Sequence, residues 1–156
     1  MSSPTKDPLG KAIQEFAKTG VNKDVIVRSE ICDDDIIPSA YLFRSYDEMP
    51  EIEQVALNNC TGSIIDVGAG AGIHAKYLMD KGHEVTCIDI SPLAVEHLNA
   101  SQLNAREINF YDLKDQTYDT VLMLMNGIGI AGTLSNLRMT LEKAKSLLNK
   151  GGKILC

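Results

Sequence analysis

The sequence predicts an α/β fold: a doubly wound, mainly parallel sheet with helices on both faces. Three observations carry that expectation. Strand-like and helix-like segments alternate from residue 62 onward, the strongest strand is apolar on both faces, and a glycine-rich turn stands where the first core strand gives way to a helix.

Before the core, Leu9, Ile13, Phe16 and Ala17 share one face of a short helix that Gly20 would end. Val25 to Ile31 alternates like an extended segment. Asp33-Asp34-Asp35 lacks the alternating ligand spacing of a calcium loop and reads as a solvated turn. Pro50 suits a first helical position, and Ile52, Val55, Ala56 and Leu57 mark the helix it opens. Residues 1–49 are thus a mixed helical and extended segment, and residues 50–156 the α/β core.

Within the core, Ser63-Ile64-Ile65-Asp66-Val67 is the first strand, followed by the glycine turn and a helix to about Asp80. Glu84 to Ile90 is the second strand, after which Ser91 caps a helix and Pro92 fits its first turn. Glu107 to Tyr111 reads as a weaker third strand and Thr120 to Met125 as a strong fourth. Leu134, Leu137, Leu141, Ala144 and Leu148 recur at helical spacing between Thr133 and Lys150. Gly151-Gly152 would stop that helix before a fifth strand starts at Lys153.

Composition narrows the function. With 156 residues, 44% hydrophobic and 23% charged, the chain has the length and apolar content of one folded domain. A net charge of −6 with no basic run argues against nucleic acid as a partner. Cys32, Cys60, Cys87 and Cys156 form no CxxC pair and have no His pair nearby, so they read as reduced thiols of a cytoplasmic protein without a metal site. Neither a signal peptide nor a run of ~18 apolar residues is present, so no membrane is expected.

The informative segment is Asp66-Val67-Gly68-Ala69-Gly70-Ala71-Gly72. Glycines there let the backbone turn tightly and let a ligand approach, while the following helix offers unpaired N–H groups. Asp89, 17 residues after Gly72, ends the second strand where a carboxylate can accept both hydroxyls of a ribose. The pattern departs from the dinucleotide fingerprint at Ile73, where glycine or alanine is wanted. Asp66 also puts a negative charge beside the loop, which disfavours a pyrophosphate and suits an ammonium group. An adenosine ligand without phosphates fits better than a nicotinamide or flavin dinucleotide.

Asp66 to Gly72, Asp89-Ile90-Ser91-Pro92, Tyr118-Asp119-Thr120-Val121 and Leu147 to Lys153 together resemble the successive motifs of class I, Rossmann-like S-adenosylmethionine-dependent methyltransferases. The stretch Met125 to Gly132 is similar to a subgroup of small bacterial members. The resemblance implies that Gly68, Ala69 and Gly70 pack against the methionine part of the cofactor, Asp66 holds its amino group, Asp89 binds the ribose and Ile90 lies on the adenine. It further implies that Asp112, with Leu113 beside it and Asp115 close by, meets the adenine amino group, and that Asn126 stands at the methyl end. Tyr41, Arg44 and Tyr46 resemble an N-terminal lid, with an aromatic face for the sulfonium and Arg44 for the cofactor carboxylate.

His74, His83 and His97 have no partner in register for a triad and read as structural, so no general base is assigned. The implied activity is methyl transfer to a small-molecule acceptor, with S-adenosylhomocysteine as co-product. The competing readings are a non-catalytic adenosyl-cofactor module and an NAD-dependent oxidoreductase. The resemblance also implies a sixth and an antiparallel seventh strand beyond Cys156. The expectation is therefore a C-terminally truncated core whose open apolar edge a homodimer would cover.

Overall fold

The computed structural model describes residues 7–156 apart from 29, 31 and 115. In chain order the elements are α1 (Pro8–Thr19), β1 (Asp24–Val27), β2 (Asp35–Pro38), α2 (Glu51–Asn58), β3 (Ser63–Val67), α3 (Ile73–Asp80), β4 (Glu84–Asp89), α4 (Pro92–Ala100), β5 (Asn104–Glu107), β6 (Tyr118–Leu122), α5 (Leu134–Ser146) and β7 (Leu148–Leu155). Strands β5-β4-β3-β6-β7 form one sheet in that order, with every pairing parallel. The expected doubly wound sheet is present.

Side chains alternate along each central strand and are buried on both sides. Ile64, Cys87 and Leu122 join one core with Ala75 and Leu78 of α3 and Leu98 of α4. Ile65, Val67, Ile88 and Val121 join another with Ala144 of α5, Phe110 and Leu113. Strand β3 therefore lies at the centre in both senses, between two strands and between two helix layers.

Outside the sheet, β1 and β2 pair as an antiparallel hairpin in which Ile26 faces Ile36. Asp33 and Asp34 stand exposed in its connection and Asp35 opens β2. The part of the expected extended segment that reaches Ile31 lies outside the described residues. Helix α1 ends on Gly20 in the left-handed conformation, as its sequence implies. No helix among the described residues is long and apolar enough to cross a membrane.

Several boundaries differ from the sequence expectation, each for a local reason. The third core strand is Asn104–Glu107, ahead of the expected Glu107–Tyr111. It is an edge strand with a polar sequence, and Asn109 ends the run by capping the single turn Phe110–Asp112 through Tyr111 N at 2.9 Å. The fourth strand stops at Leu122, not Met125, because Met125 and Asn126 adopt φ of 52° and 63°. Helix α5 ends at Ser146, so Gly151-Gly152 does not terminate it. The two glycines lie inside β7, where pairing jumps from Tyr118↔Leu148 to Thr120↔Lys153.

Helix α2 is turned relative to its apolar pattern. Leu57 is buried, but so is Glu53, while Ile52 and Val55 are 73% and 52% exposed. Pro50 is the N-cap rather than the first helical residue.

The β7 irregularity requires a residue without a side chain at one point. A Cβ on Gly152 would stand 3.0 Å from both Asp119 O and Asn149 O. Gly152→Val is expected to lower stability by roughly 1–3 kcal/mol through overpacking, read as a lower urea midpoint with an unchanged slope.

Candidate functional site

The strand order reverses beside β3, and in open parallel sheets ligands occupy the crevice beyond the carboxyl ends at such a point. Here β3 runs into Gly68 to Gly72. The turn is pinned sideways, since Gly68 N and Ala69 N donate to Ile88 O of β4 at 2.8 and 3.2 Å. Gly72, with φ of 80°, caps α3, and a Cβ there would come 2.7 Å from Leu103 and closer to Leu98. The Cβ positions of Gly68 and Gly70, by contrast, meet at most a backbone oxygen at 3.9 Å. One side of the loop is packed and the other is open.

Asp89 holds the rim. Its Oδ2 accepts from Gly70 N and its Oδ1 from Ser91 N, each at 2.9 Å, which leaves further lone pairs on both oxygens. Beside it a cleft of about 320 Å³ is bounded by Gly68, Asp89, Ile90, Asn109, Phe110 and Asn126, among others. Ile90 is 71% exposed there, and Asn126 faces in from the other side of the reversal.

The structure thus gathers Gly68, Asp89, Ile90 and Asn126 around one cleft, with Ala69 and Gly70 in the loop that floors it. Asp112 and Leu113 do not belong to it: Leu113 is buried against Phe110 and Val121, and Asp112 is exposed at the end of the turn that follows Asn109. Because β5 ends at Glu107, the chain passes the rim three residues earlier, at Asn109 and Phe110. Sequence reasoning missed both by placing the strand too late. Asp115 lies outside the described residues.

The expected lid residues also act differently. Arg44 is buried; its Nη2 donates to Glu53 Oε2 at 2.5 Å and its Nη1 to Tyr41 O at 2.8 Å, with the guanidinium 4.1 Å over the Tyr41 ring. It therefore turns into the protein. His74 Nε2 meets the same Glu53 oxygen at 2.8 Å. Tyr46 stacks on Tyr77 at 4.2 Å and accepts from Asn58, away from the cleft. Glu53 was not legible as a site residue, since a lone carboxylate on a short surface helix carries no signal of burial.

Asp66 is 2% exposed and its Oδ2 has no hydrogen-bond partner among the described residues. Burial pushes its carboxyl up to about 6; His74 pulls it down and Asp89 adds a smaller upward push.

With this geometry in place, one family profile, the methyltransferase domain, matches residues 64–152. The chain belongs to the methyltransferase domain family. A SAM-dependent methyltransferase from Bacteroides fragilis, solved with S-adenosyl-L-homocysteine, superposes on this methyltransferase domain with a TM-score of 0.89 and 44% identity. The match covers 99% of this chain and 65% of that one, so the domain spans about two thirds of its relative's length.

The sugar N-methyltransferase KedS8 from Streptoalloteichus sp ATCC 53650 gives a TM-score of 0.61 at 17% identity, over 83% of this chain and 57% of its own. The CcbJ methyltransferase from Streptomyces caelestis gives 0.59 at 23%, over 70% and 52%. These two share the fold. No curated protein sequence matches the chain.

In this methyltransferase domain the buried Asp66 makes stability depend on pH. An acid whose folded value lies above its ordinary 3.8 carries no pH-dependent penalty while protonated, and that penalty grows as pH rises toward about 6. The penalty is on the order of 2–3 kcal/mol and is complete above that pH. Asp66→Asn is expected to remove the loss between pH 4 and 6 and to be the more stable protein at pH 7, as measured by urea unfolding across that range.

Proposed function

We propose that this domain binds S-adenosylmethionine and transfers its methyl group to a small-molecule acceptor. The observation that carries the reading is the pairing of an open glycine loop with two carboxylates, Asp66 beneath it and Asp89 at its rim. Such a site repels a pyrophosphate and suits a cationic adenosine ligand.

The residues fit that group. Asp66 Oδ2 is a buried polar atom without a partner among the described residues, and the methionine moiety offers an ammonium as its complement. The free Cβ space at Gly68 and Gly70 admits a ligand against the backbone. Asp89 keeps lone pairs for ribose hydroxyls, Ile90 supplies apolar surface for adenine, and the Asn109 amide can serve its edge. Bound there, the sulfonium supplies an already activated methyl group.

The protein's contribution is then largely to position and to exclude water. Asp66 orients the amino group, Asp89 fixes the ribose, and Asn126 stands at the end where the acceptor approaches. We read the segment before residue 50 as the cover of this site, and a cytoplasmic setting from the four unpaired cysteines.

Calorimetric titration tests the reading. S-adenosylhomocysteine is expected to bind and NADH not to. Asp89→Ala should weaken the first ligand at least tenfold, since it removes acceptors that hold both ribose and loop; binding of NADH instead would refute the assignment. The role of Asp66 has its own signature. Only its ionised form pairs with an ammonium, so affinity for S-adenosylhomocysteine should fall by roughly tenfold between pH 7.5 and 5. Methylthioadenosine, which lacks the amino acid, should show a flat profile over the same range.

A further inference from the structure

We propose that Asp7 is a positioning residue whose carboxylate latches α1 to the N-terminus of α4, and so holds Leu9 over the adenosine end of the cleft. The inference rests on the adenosine reading above and adds a part of the chain that the resemblance did not reach.

Two helix N-termini share the Asp7 carboxylate. Its Oδ1 accepts from Gly10 N at 2.8 Å, capping α1, and its Oδ2 accepts from Ser91 Oγ at 2.5 Å. Ser91 Oγ in turn accepts from Ala94 N at 2.9 Å, capping α4. Since Ser91 N donates to Asp89 Oδ1 and Gly70 N to Asp89 Oδ2, an unbroken series of hydrogen bonds runs from the glycine loop through Asp89 and Ser91 to Asp7 and α1. The group that would hold the ribose and the helix that borders the cleft are tied through one serine.

Leu9 is what the latch positions. It follows Asp7 by two residues, is 38% exposed, and among the described residues is the one from before β3 that lines the cleft, where Ile90 and Ile130 also stand. The rest of α1 is secured elsewhere. Ile13 packs with Leu42 and Ala94, and Gln14 Nε2 donates to Glu96 at 2.7 Å. These contacts anchor the middle of the helix, and the Asp7–Ser91 bond fixes the end that reaches the ligand.

The test separates latch from helix. Asp7→Ser keeps a good N-cap residue but is too short to reach Ser91. Gly10→Ala improves helix propensity, yet its Cβ would stand 2.5 Å from Ser91 Oγ and closer still to Asp7 Oδ2, wedging the pair apart. Both variants should melt at or near the wild-type temperature. Both should bind S-adenosylhomocysteine and methylthioadenosine about tenfold more weakly through faster dissociation, the loss of one charge-assisted hydrogen bond.

Asp7→Asn, whose Oδ1 can still accept from Gly10 N while its Nδ2 donates to the remaining lone pair of Ser91 Oγ, should stay within about threefold of wild type, since the contact persists with its direction reversed and its charge lost. Wild-type affinity in both Asp7→Ser and Gly10→Ala overturns the proposal, as does weakening of S-adenosylhomocysteine alone, which would place the effect at the amino-acid end. Failure of the wild-type protein to bind either adenosine ligand overturns the cofactor reading itself and is recognised before any variant is made.

Discussion

The carboxyl edge of the sheet is organised by the side chain of Asp89. Parallel pairing brings the ends of β3 and β4 to one level, and the Asp89 carboxylate then receives the loop on one oxygen and the start of α4 on the other. Backbone N–H groups at such a turn need acceptors, and a carboxylate provides two without covering the open side of the loop. The cleft, the cap of α4 and the approach of α1 all follow from where that group is held.

A second set of charges lies beneath the same loop. Arg44, Glu53 and His74 meet at one Glu53 oxygen, all buried, close enough to Asp66 for His74 to influence its proton. Removing one member of a buried ion pair strands the other at a cost of about 3–5 kcal/mol, so the group fixes geometry more than it adds stability. That constraint, not the apolar pattern, sets the rotation of α2 and leaves Ile52 and Val55 facing solvent.

These competing forces explain what could be read from the sequence. The parallel sheet and the loop were legible because β3, β4 and β6 are apolar runs and because Gly68 to Gly72 can do little else between strand and helix. Asp66, Asp89 and Asn126 were legible as candidates, in or after the apolar runs; the structure sets Asp89 and Asn126 on the cleft and buries Asp66 within β3. Polar β5 was not, and the error carried over to Asp112 and Leu113 where Asn109 and Phe110 line the rim. Arg44 was expected in a lid, facing the cofactor carboxylate; its burial and its partner Glu53 are set by tertiary contact alone. The glycines of β7 read as a helix stop because a bulge and a helix end call for the same residue type.

The central place of β3 has a consequence for how the chain acquires its structure. Its neighbours are β4, which follows at once, and β6, whose Thr120 and Val121 pair with Ile64 and Ile65 from far along the chain. During synthesis the half made of β3, β4 and β5 emerges first, with one apolar flank of β3 still unpaired. Closing the sheet requires a long-range parallel contact, which is slow because chain entropy is lost before the pairing forms. The interval before β6 arrives is therefore when this protein is most exposed to misassociation and most in need of a chaperone.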